Sequence, residues 1–331
     1  MIISRTPFRI SLFGGGTDYP AWFREHGGAV IGTAIDKYCY LTVRRLPPFF
    51  EHKSRVVYSQ IELVRDNSEV HHPAVRGVLA DKGITEGLEI HHDADLPARS
   101  GLGSSSSFTV GLLNALYALD GRMVGKRELG LEAIRIEQDV LKESVGCQDQ
   151  LWAAFGGLNH IEFFPDGEFA LSPIILPSGR RAELQQSLML FFTGFSRFAT
   201  DFAQDQIKNI NQRKTQLRAI RGMVNSAIDV LRDVRAPIRE LGELLHQSWM
   251  FKRELADSVS NSQLDEIYEA GCAAGAIGGK LLGAGGGGFM VFVVEPERRE
   301  AVREKLKDLI HVGFDFDTEG SKIVLYQPNG L

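Results

Sequence analysis

Three glycine-rich turns are the first residues in this sequence that could do chemistry. They are "FGGGTDY" with Gly14, Gly15 and Gly16, "LPARSGLGSSSS" with Gly101 and Gly103, and "KLLGAGGGG" over residues 283–288. Glycine reaches backbone angles closed to other residues, so successive amides can face one concavity and hold an anion. In the second turn Gly101, Leu102 and Gly103 lead through Ser104, Ser105 and Ser106 into Thr109, Leu112, Leu113, Leu116 and Leu119, which recur at helical spacing. A glycine loop feeding a helix suits phosphate, because the first amides of a helix are unpaired and carry roughly half a positive charge. A serine N-cap after an ordinary turn fits the same residues. No lysine follows "GLGSSSS", so the lysine-bearing Walker loop is excluded.

Phosphoryl transfer also needs an oxygen ligand for a metal and a group that orients or deprotonates the attacking hydroxyl. "IEQDVLKESVGCQDQLW" offers both. Glu137 sits on a helical pattern and can be a hard oxygen ligand for magnesium beside a loop serine, or a solvated helix face. Asp149 follows a helix-breaking glycine and precedes an apolar segment, as a base in a cleft or a helix N-cap would. Arg9 interrupts an apolar strand and is either an edge residue facing water or a buried cation with a partner. Asp18 can accept hydrogen bonds from vicinal hydroxyls, as polyol recognition demands, or close an Asx turn. The pairs His71–His72 and His91–His92 match no zinc spacing, since neighbours on a strand point to opposite faces. Cys147 has no histidine near it in sequence and reads as a packed thiol.

These residues must be positioned by mixed elements. Strands are expected at the N-terminus up to Phe13, over "GGAVIGTAIDKYCYLTVRRL", at 54–58 and 60–65, and around "LEIHHDADL", with a helix from Pro73 to Lys82. Helices are predicted over 104–119, 126–143 and 146–155, then strands in "GGLNHIEFF" and "EFALSPIIL". After turn residues at 176–184 come the strand "LMLFFTG", helical patterns over 202–235 and 237–257, and a helix after Ser262 with a capping-box spacing. The glycine turn at 283–288 enters a strand, and a helix over 297–311 and the strand "KIVLY" close the chain. The pattern predicts an α+β protein of two domains, 1–180 and 181–331.

Composition narrows the function classes. The chain has 331 residues, 44% hydrophobic and 24% charged, with a net charge of −5, so the overall balance offers no attraction to nucleic acid or anionic membrane. Three cysteines are too few and odd in number for a disulfide framework. No secretory h-region opens the sequence, and no run of about 18 apolar residues could span a bilayer, so a cytoplasmic protein is expected.

In order, "PFRISLFGGGTDYP", "LPARSGLGSSSS", "GCQDQ" and "KLLGAGGGGFM" resemble the motifs of the GHMP small-molecule kinases, a likeness spanning residues 5–293. The resemblance implies an N-terminal ribosomal-protein-S5 domain 2-like domain and a C-terminal ferredoxin-like α+β domain with the active site between them. It implies that residues 101–106 wrap the phosphates of ATP, that Ser105 and Glu137 bind Mg2+, and that Asp149 is the catalytic base beside Arg9. Gly15, Gly16, Thr17 and Asp18, with Gly285 and Gly286, would then line the sugar site. Galactokinases carry a Glu-His pair where this chain has Gly15 and Gly16, which leaves room for a larger sugar. The branch most similar acts on D-glycero-D-manno-heptose 7-phosphate, so the expected product is the 1,7-bisphosphate made for nucleotide-activated heptose. An L-fucose or other sugar 1-kinase is the alternative, and a decarboxylase or nucleotide sensor of the same fold is more remote. A monomer or homodimer acting on ATP and a small sugar phosphate is expected. Cations open for the distal phosphate are Arg44, Arg45, Lys53, Arg99, Arg197 and Lys280.

Overall fold

The N-terminal strand β1 (Ile2–Phe13) is buried along almost its whole length because it runs through the middle of a sheet. It is followed by α1 (Pro20–His26), the long β2 (Gly28–Arg45), the hairpin β3 (Ser54–Val57) and β4 (Ile61–Val64), α2 (Pro73–Asp81) and β5 (Leu88–Ala94). Next come α3 (Ser104–Leu119), α4 (Lys126–Arg135), a π-helical turn (Ile136–Val140), α5 (Gln148–Phe155), β6 (Leu158–Phe163) and β7 (Phe169–Pro173). The structure is a computed structural model and describes residues 1–194 and 199–328, the side chains of 199–201 excepted. Among the described residues no helix is long and apolar enough to cross a membrane.

At 18 residues, β2 is long enough to serve two partners: Gly28 to Thr33 pair with β6, and Cys39 to Arg45 pair with β5. Helix α3 lies against β1 and β2 and, beyond its first two serines, is buried nearly all round, as its apolar run from Phe108 to Leu119 requires. Its approach is close. A Cβ at Gly111 would sit 2.9 Å from Thr6 Oγ1, and Ser107 donates to the Pro7 carbonyl at 2.8 Å. These contacts fix the start of α3 beside the middle of β1.

Helix α6 (Ser178–Ser187) leads into β8 (Leu188–Phe192), then α7 (Ala199–Asn209), α8 (Lys214–Arg232), α9 (Ile238–Arg253) and α10 (Ser262–Ala273). The chain continues through β9 (Ala276–Leu281), β10 (Phe289–Val294), α11 (Arg299–Lys305), β11 (Ile310–Val312) and β12 (Lys322–Tyr326). The second sheet has the order β11-β8-β10-β9, a split βαβ pattern with helices inserted after its first and third strands.

The α+β architecture follows the sequence pattern, with four differences. The expected helix over 126–143 ends its α-helical part at Arg135 and passes into the π turn. The helical pattern over 202–235 is broken at residues 210–213, where Arg213 leaves helical geometry. The helix expected over 297–311 stops at Lys305, and Ile310–Val312 pair with β8 instead. The last strand does not stay with the second half: β12 pairs with β1, Ile2 opposite Tyr326, and covers what would otherwise be an open edge of the first sheet. The boundary expected at 180 falls inside α6, and the unit that begins there gives its final strand back to the first.

The two halves meet backbone to backbone. A Cβ at Gly101 would lie 2.5 Å from the Leu282 carbonyl oxygen, and one at Gly288, where φ is +108°, would lie 2.2 Å from that of Ser100. Gly288→Ala therefore combines left-handed strain with a backbone clash and is expected to cost about 2 kcal/mol or more. Gly222, exposed on α8 with nothing near its missing side chain, provides the contrast, and Gly222→Ala should gain roughly 0.5–1 kcal/mol. Urea unfolding of both variants checks the pair.

Candidate active site

Arg9 lies on β1 opposite Ala34 of β2, and its backbone N–H donates to the Leu102 carbonyl at 3.0 Å. Its side chain is 5% exposed, which excludes the solvent-facing alternative. Nε donates to Asp149 Oδ1 at 2.8 Å, Nη2 to Oδ2 at 2.6 Å, and Nη1 to the Gly101 carbonyl. One guanidinium thus binds the carboxylate as a two-pronged fork and holds the glycine loop with its remaining arm. Asp149 is in the first turn of α5, where Cys147 is the N-cap residue, so its carboxylate caps nothing and points to Arg9. It keeps free lone pairs on both oxygens, and its side chain is 24% exposed.

Gly103 is the N-cap of α3 with φ +76°, and no side chain caps the first amides of that helix. A Cβ there would fall 3.2 Å from Arg9 Cγ and 3.5 Å from Asp149 Oδ2. The uncapped start of a 16-residue helix and the carboxylate are therefore neighbours, separated by little more than the width of a methyl group.

Glu137 sits on the π turn, a local widening that frequently marks functional positions. It is fully buried. Oε2 accepts from Ser106 Oγ at 2.9 Å and from Gln150 Nε2 at 2.5 Å, while Oε1 has no partner among the described residues. Burial, with Glu143 adding to it, pushes this carboxyl up to about 8. A buried carboxylate oxygen without a partner, next to a hydroxyl, is a donor set that fits a hard divalent cation. Ser105, expected to share that role, is exposed; one helical step of about 100° turns Ser106 rather than Ser105 onto Glu137.

The loop that runs from Gly14 to Asp18 is buried except at Gly15, which is half-buried. Gly14, with φ +84°, leaves no room for a Cβ, which would lie 1.9 Å from the Ala29 carbonyl oxygen. Thr17 is wholly buried, its hydroxyl bonded to the Gly14 and Ala29 carbonyls and to the Ala29 amide. It braces the loop and has nothing left to offer a substrate, contrary to its expected place in the lining. Asp18 accepts from Gly16 N at 3.0 Å and Gln148 N at 3.4 Å. Burial, then the nearby Asp149 carboxylate, raises it to about 6. Gly285 and Gly286 face Val259 and the Phe202 ring, and Gly283 and Gly288 make the contact with residues 100–101.

Two lysines complete the centre. Lys280 Nζ donates to the Leu12 carbonyl at 3.0 Å across the two halves, and burial with neighbouring Arg9 pulls it down to about 7. Lys252 donates to the Leu281 and Gly283 carbonyls at 2.8 and 2.6 Å and is pulled down by burial and by Lys280. Lys280 is among the six cations open for the distal phosphate; Lys252, Gln148 and Ser11 carry no signal in the sequence that marks them. Arg44, Arg45 and Lys53 are instead paired with Glu89, Asp120 and Asp66 away from Arg9. Arg99 is tied to the phosphate loop by its amide bond to Ser104 Oγ, and Arg197 lies outside the described residues.

A glycine loop at a helix start, joined through one arginine to a carboxylate, is an arrangement suited to phosphoryl transfer. Residues 69–157 match the GHMP kinases N terminal domain and residues 230–311 the GHMP kinases C terminal domain. A D-glycero-alpha-D-manno-heptose 7-phosphate kinase of Campylobacter jejuni is 30% identical over 97% of this chain and 98% of its own. A bifunctional fucokinase/GDP-fucose pyrophosphorylase of Arabidopsis thaliana is 25% identical over 93% of this chain and 31% of its own. The crystal structure of a D-glycero-D-manno-heptose 1-phosphate kinase from Bacteroides thetaiotaomicron superposes with a TM-score of 0.79 at 24% identity, covering 97% and 98% of the two chains. The chain belongs to the GHMP kinases and is an ATP-dependent sugar kinase.

The buried acids set a stability profile. The folded-state values of Glu137, about 8 against 4.5, and of Asp18, about 6 against 3.8, are raised, so the folded chain holds protons that the unfolded chain has lost. Their contribution is full below the unfolded values and declines as pH rises through the folded ones. Lys280 acts oppositely, adding stability as pH climbs from about 7 towards 10.5. Glu137→Gln removes only the first effect. In metal-free buffer its melting temperature should gain several degrees on the wild type between pH 5 and pH 8, a difference that calorimetric scans at both pH values measure directly.

Proposed function

We propose that this kinase transfers the γ-phosphoryl group of ATP to the anomeric hydroxyl of D-glycero-D-manno-heptose 7-phosphate, giving the 1,7-bisphosphate and ADP. The observation that carries the reading is the three-way hold of Arg9 on Asp149 and Gly101, which puts a base and an anion cup within one hydrogen-bonded unit. The substrate assignment draws on the similarity to the Campylobacter heptose 7-phosphate kinase over nearly the full length of both chains.

In this reading the amides of residues 101–106 hold the triphosphate, and Asp18 accepts hydrogen bonds from sugar hydroxyls. Asp149 takes the proton of the anomeric hydroxyl as the new oxygen–phosphorus bond forms and the bond to the β-phosphate oxygen breaks. The transition state spreads charge over the transferring group, so fixed cations count more than covalent help. Arg9 is such a cation here, already desolvated and held by carboxylate and carbonyl oxygens, and Lys280 joins it when protonated. Glu137 with Ser106 would hold Mg2+, which supplies neutralisation of charge on the β- and γ-phosphate oxygens when bound. We take the setting to be cytoplasmic and the working unit to be a monomer or homodimer.

An L-fucose-type sugar 1-kinase is the second reading, favoured by the match to the plant fucokinase. A coupled assay of ADP release with Mg-ATP and heptose 7-phosphate, L-fucose or D-galactose decides between them. The expected kcat/KM for the heptose phosphate exceeds the others by at least about 100-fold. A preference for fucose would replace the substrate assignment. Asp149→Asn should lower kcat by about 10² to 10⁴ while ATP still shifts the melting temperature, and a loss under tenfold would contradict the base.

A further inference from the structure

Gly15 is a glycine that folding does not require. Its neighbours have reasons on the backbone: Gly14 has φ +84° with no space for a Cβ, and Gly16 has φ +100°. Gly15 is outside the left-handed region, and a Cβ there would meet only Ser11 Oγ at 3.7 Å and Gln148 Nε2 at 3.9 Å, ordinary van der Waals distances. An alanine would fit the fold without strain. The bare position leaves polar groups on this side, while a Cβ built on the neighbouring Gly16 would meet Leu217 Cδ2 and Leu255 Cδ1 at 3.3 and 3.5 Å.

The polar wall is arranged in advance. Ser11 is 4% exposed, and its hydroxyl donates to Gln148 Oε1 at 2.7 Å. That bond uses one lone pair of the carboxamide oxygen and holds Nε2, with two N–H donors, beside Gly15, 3.9 Å from a Cβ built there. The backbone of Gln148 meanwhile donates to Asp18 Oδ2, and its neighbour in sequence is Asp149. A side-chain donor held beside a half-buried glycine, on the residue next to Asp149, is suited to a ligand oxygen. Asp18 and Asp149 are acceptors and can bind only hydroxyl protons, so an oxygen that must itself accept a bond, such as a ring oxygen, needs a donor from elsewhere.

We propose that Gln148, held by Ser11, is a specificity-determining residue that donates to an oxygen of the sugar, and that Gly15 is bare so that the sugar can reach it. The inference rests on the reading of this site as the sugar pocket of the kinase. It makes Ser11 a positioning residue, acting only through the amide. It also explains why two polar residues from separate elements, β1 and α5, converge on a glycine that the backbone could do without.

The test is steady-state kinetics on Gly15→Ala, Gln148→Leu and Ser11→Ala, with the sugar that the wild type turns over best. Gly15→Ala should melt within about 2 °C of the wild type, keep the melting shift given by ATP, and raise the sugar KM at least tenfold. Gln148→Leu removes the donor at similar volume and should raise the same KM by roughly 5- to 15-fold, the worth of one neutral hydrogen bond. Ser11→Ala should give a smaller rise, and KM for ATP should stay within twofold in all three. If the wild type phosphorylates a sugar and both Gly15→Ala and Gln148→Leu retain its sugar KM, the inference is overturned while the kinase reading stands. If the wild type turns over none of the sugars, the reading of the pocket falls and takes this inference with it.

Discussion

The fork between Arg9 and Asp149 is the interaction on which the rest of the structure depends. A guanidinium buried in the centre of a sheet is tolerable only if its donors are met, and here they are met by a carboxylate from α5 and a carbonyl from the loop before α3. Two separate stretches of chain are thereby fixed relative to β1. The same bonds that satisfy the cation set the distance between the helix start that can hold phosphate and the acid that can take a proton. Stability and chemistry make the same demand on this residue, and loss of either partner would leave a charge unmatched inside the protein.

Around that fork the site accumulates groups that are costly to bury. Glu137 and Asp18 are acids held above their ordinary range, and Lys280 and Lys252 are bases held below theirs. Each is disfavoured by desolvation more than by any single neighbour, which means that the cost comes from the dryness of the cleft itself. Such a cleft gives fixed charges a stronger hold on a ligand than the same charges would have in water. The unpartnered Oε1 of Glu137 is the clearest sign that part of this polarity is provided for something other than the fold.

Much of this was legible in the sequence. The glycine turns, Arg9, Asp18, Glu137 and Asp149 stand out because each is a residue type that breaks the pattern of its surroundings. The strands of the first sheet were readable for the same reason, since β-branched and aromatic runs ended by glycine have few other interpretations. What was not legible depends on angles and on returns of the chain. Ser105 and Ser106 are one residue apart and chemically identical, so only the rotation of α3 decides which one meets Glu137. The π turn hides inside a helical pattern, because one extra residue per turn does not change which residue types appear. β12 reads as an ordinary strand, and its pairing with β1 is a fact of topology. Lys252 lies on an otherwise unremarkable helix, and Gln148 has no charge to draw attention.

The joint between the two halves constrains how the site can work. Gly101, Gly283 and Gly288 bring backbone against backbone, so the interface has little side-chain slack to absorb a shift. Lys280 crosses it to the carbonyl of Leu12, one residue before the strand ends and two before the sugar loop begins, and Lys252 ties down the Gly283 carbonyl from the other side. A displacement of the second half would therefore be felt at once by the phosphate loop, through Ser100 and Gly101, and by the sugar loop, through Leu12. The return of β12 to the first sheet adds a covalent constraint, since the second half is anchored to the first at both of its ends. The phosphate cup and the sugar loop belong to the first half in sequence, yet their shape is set by contacts with the second, and neither half carries the site alone.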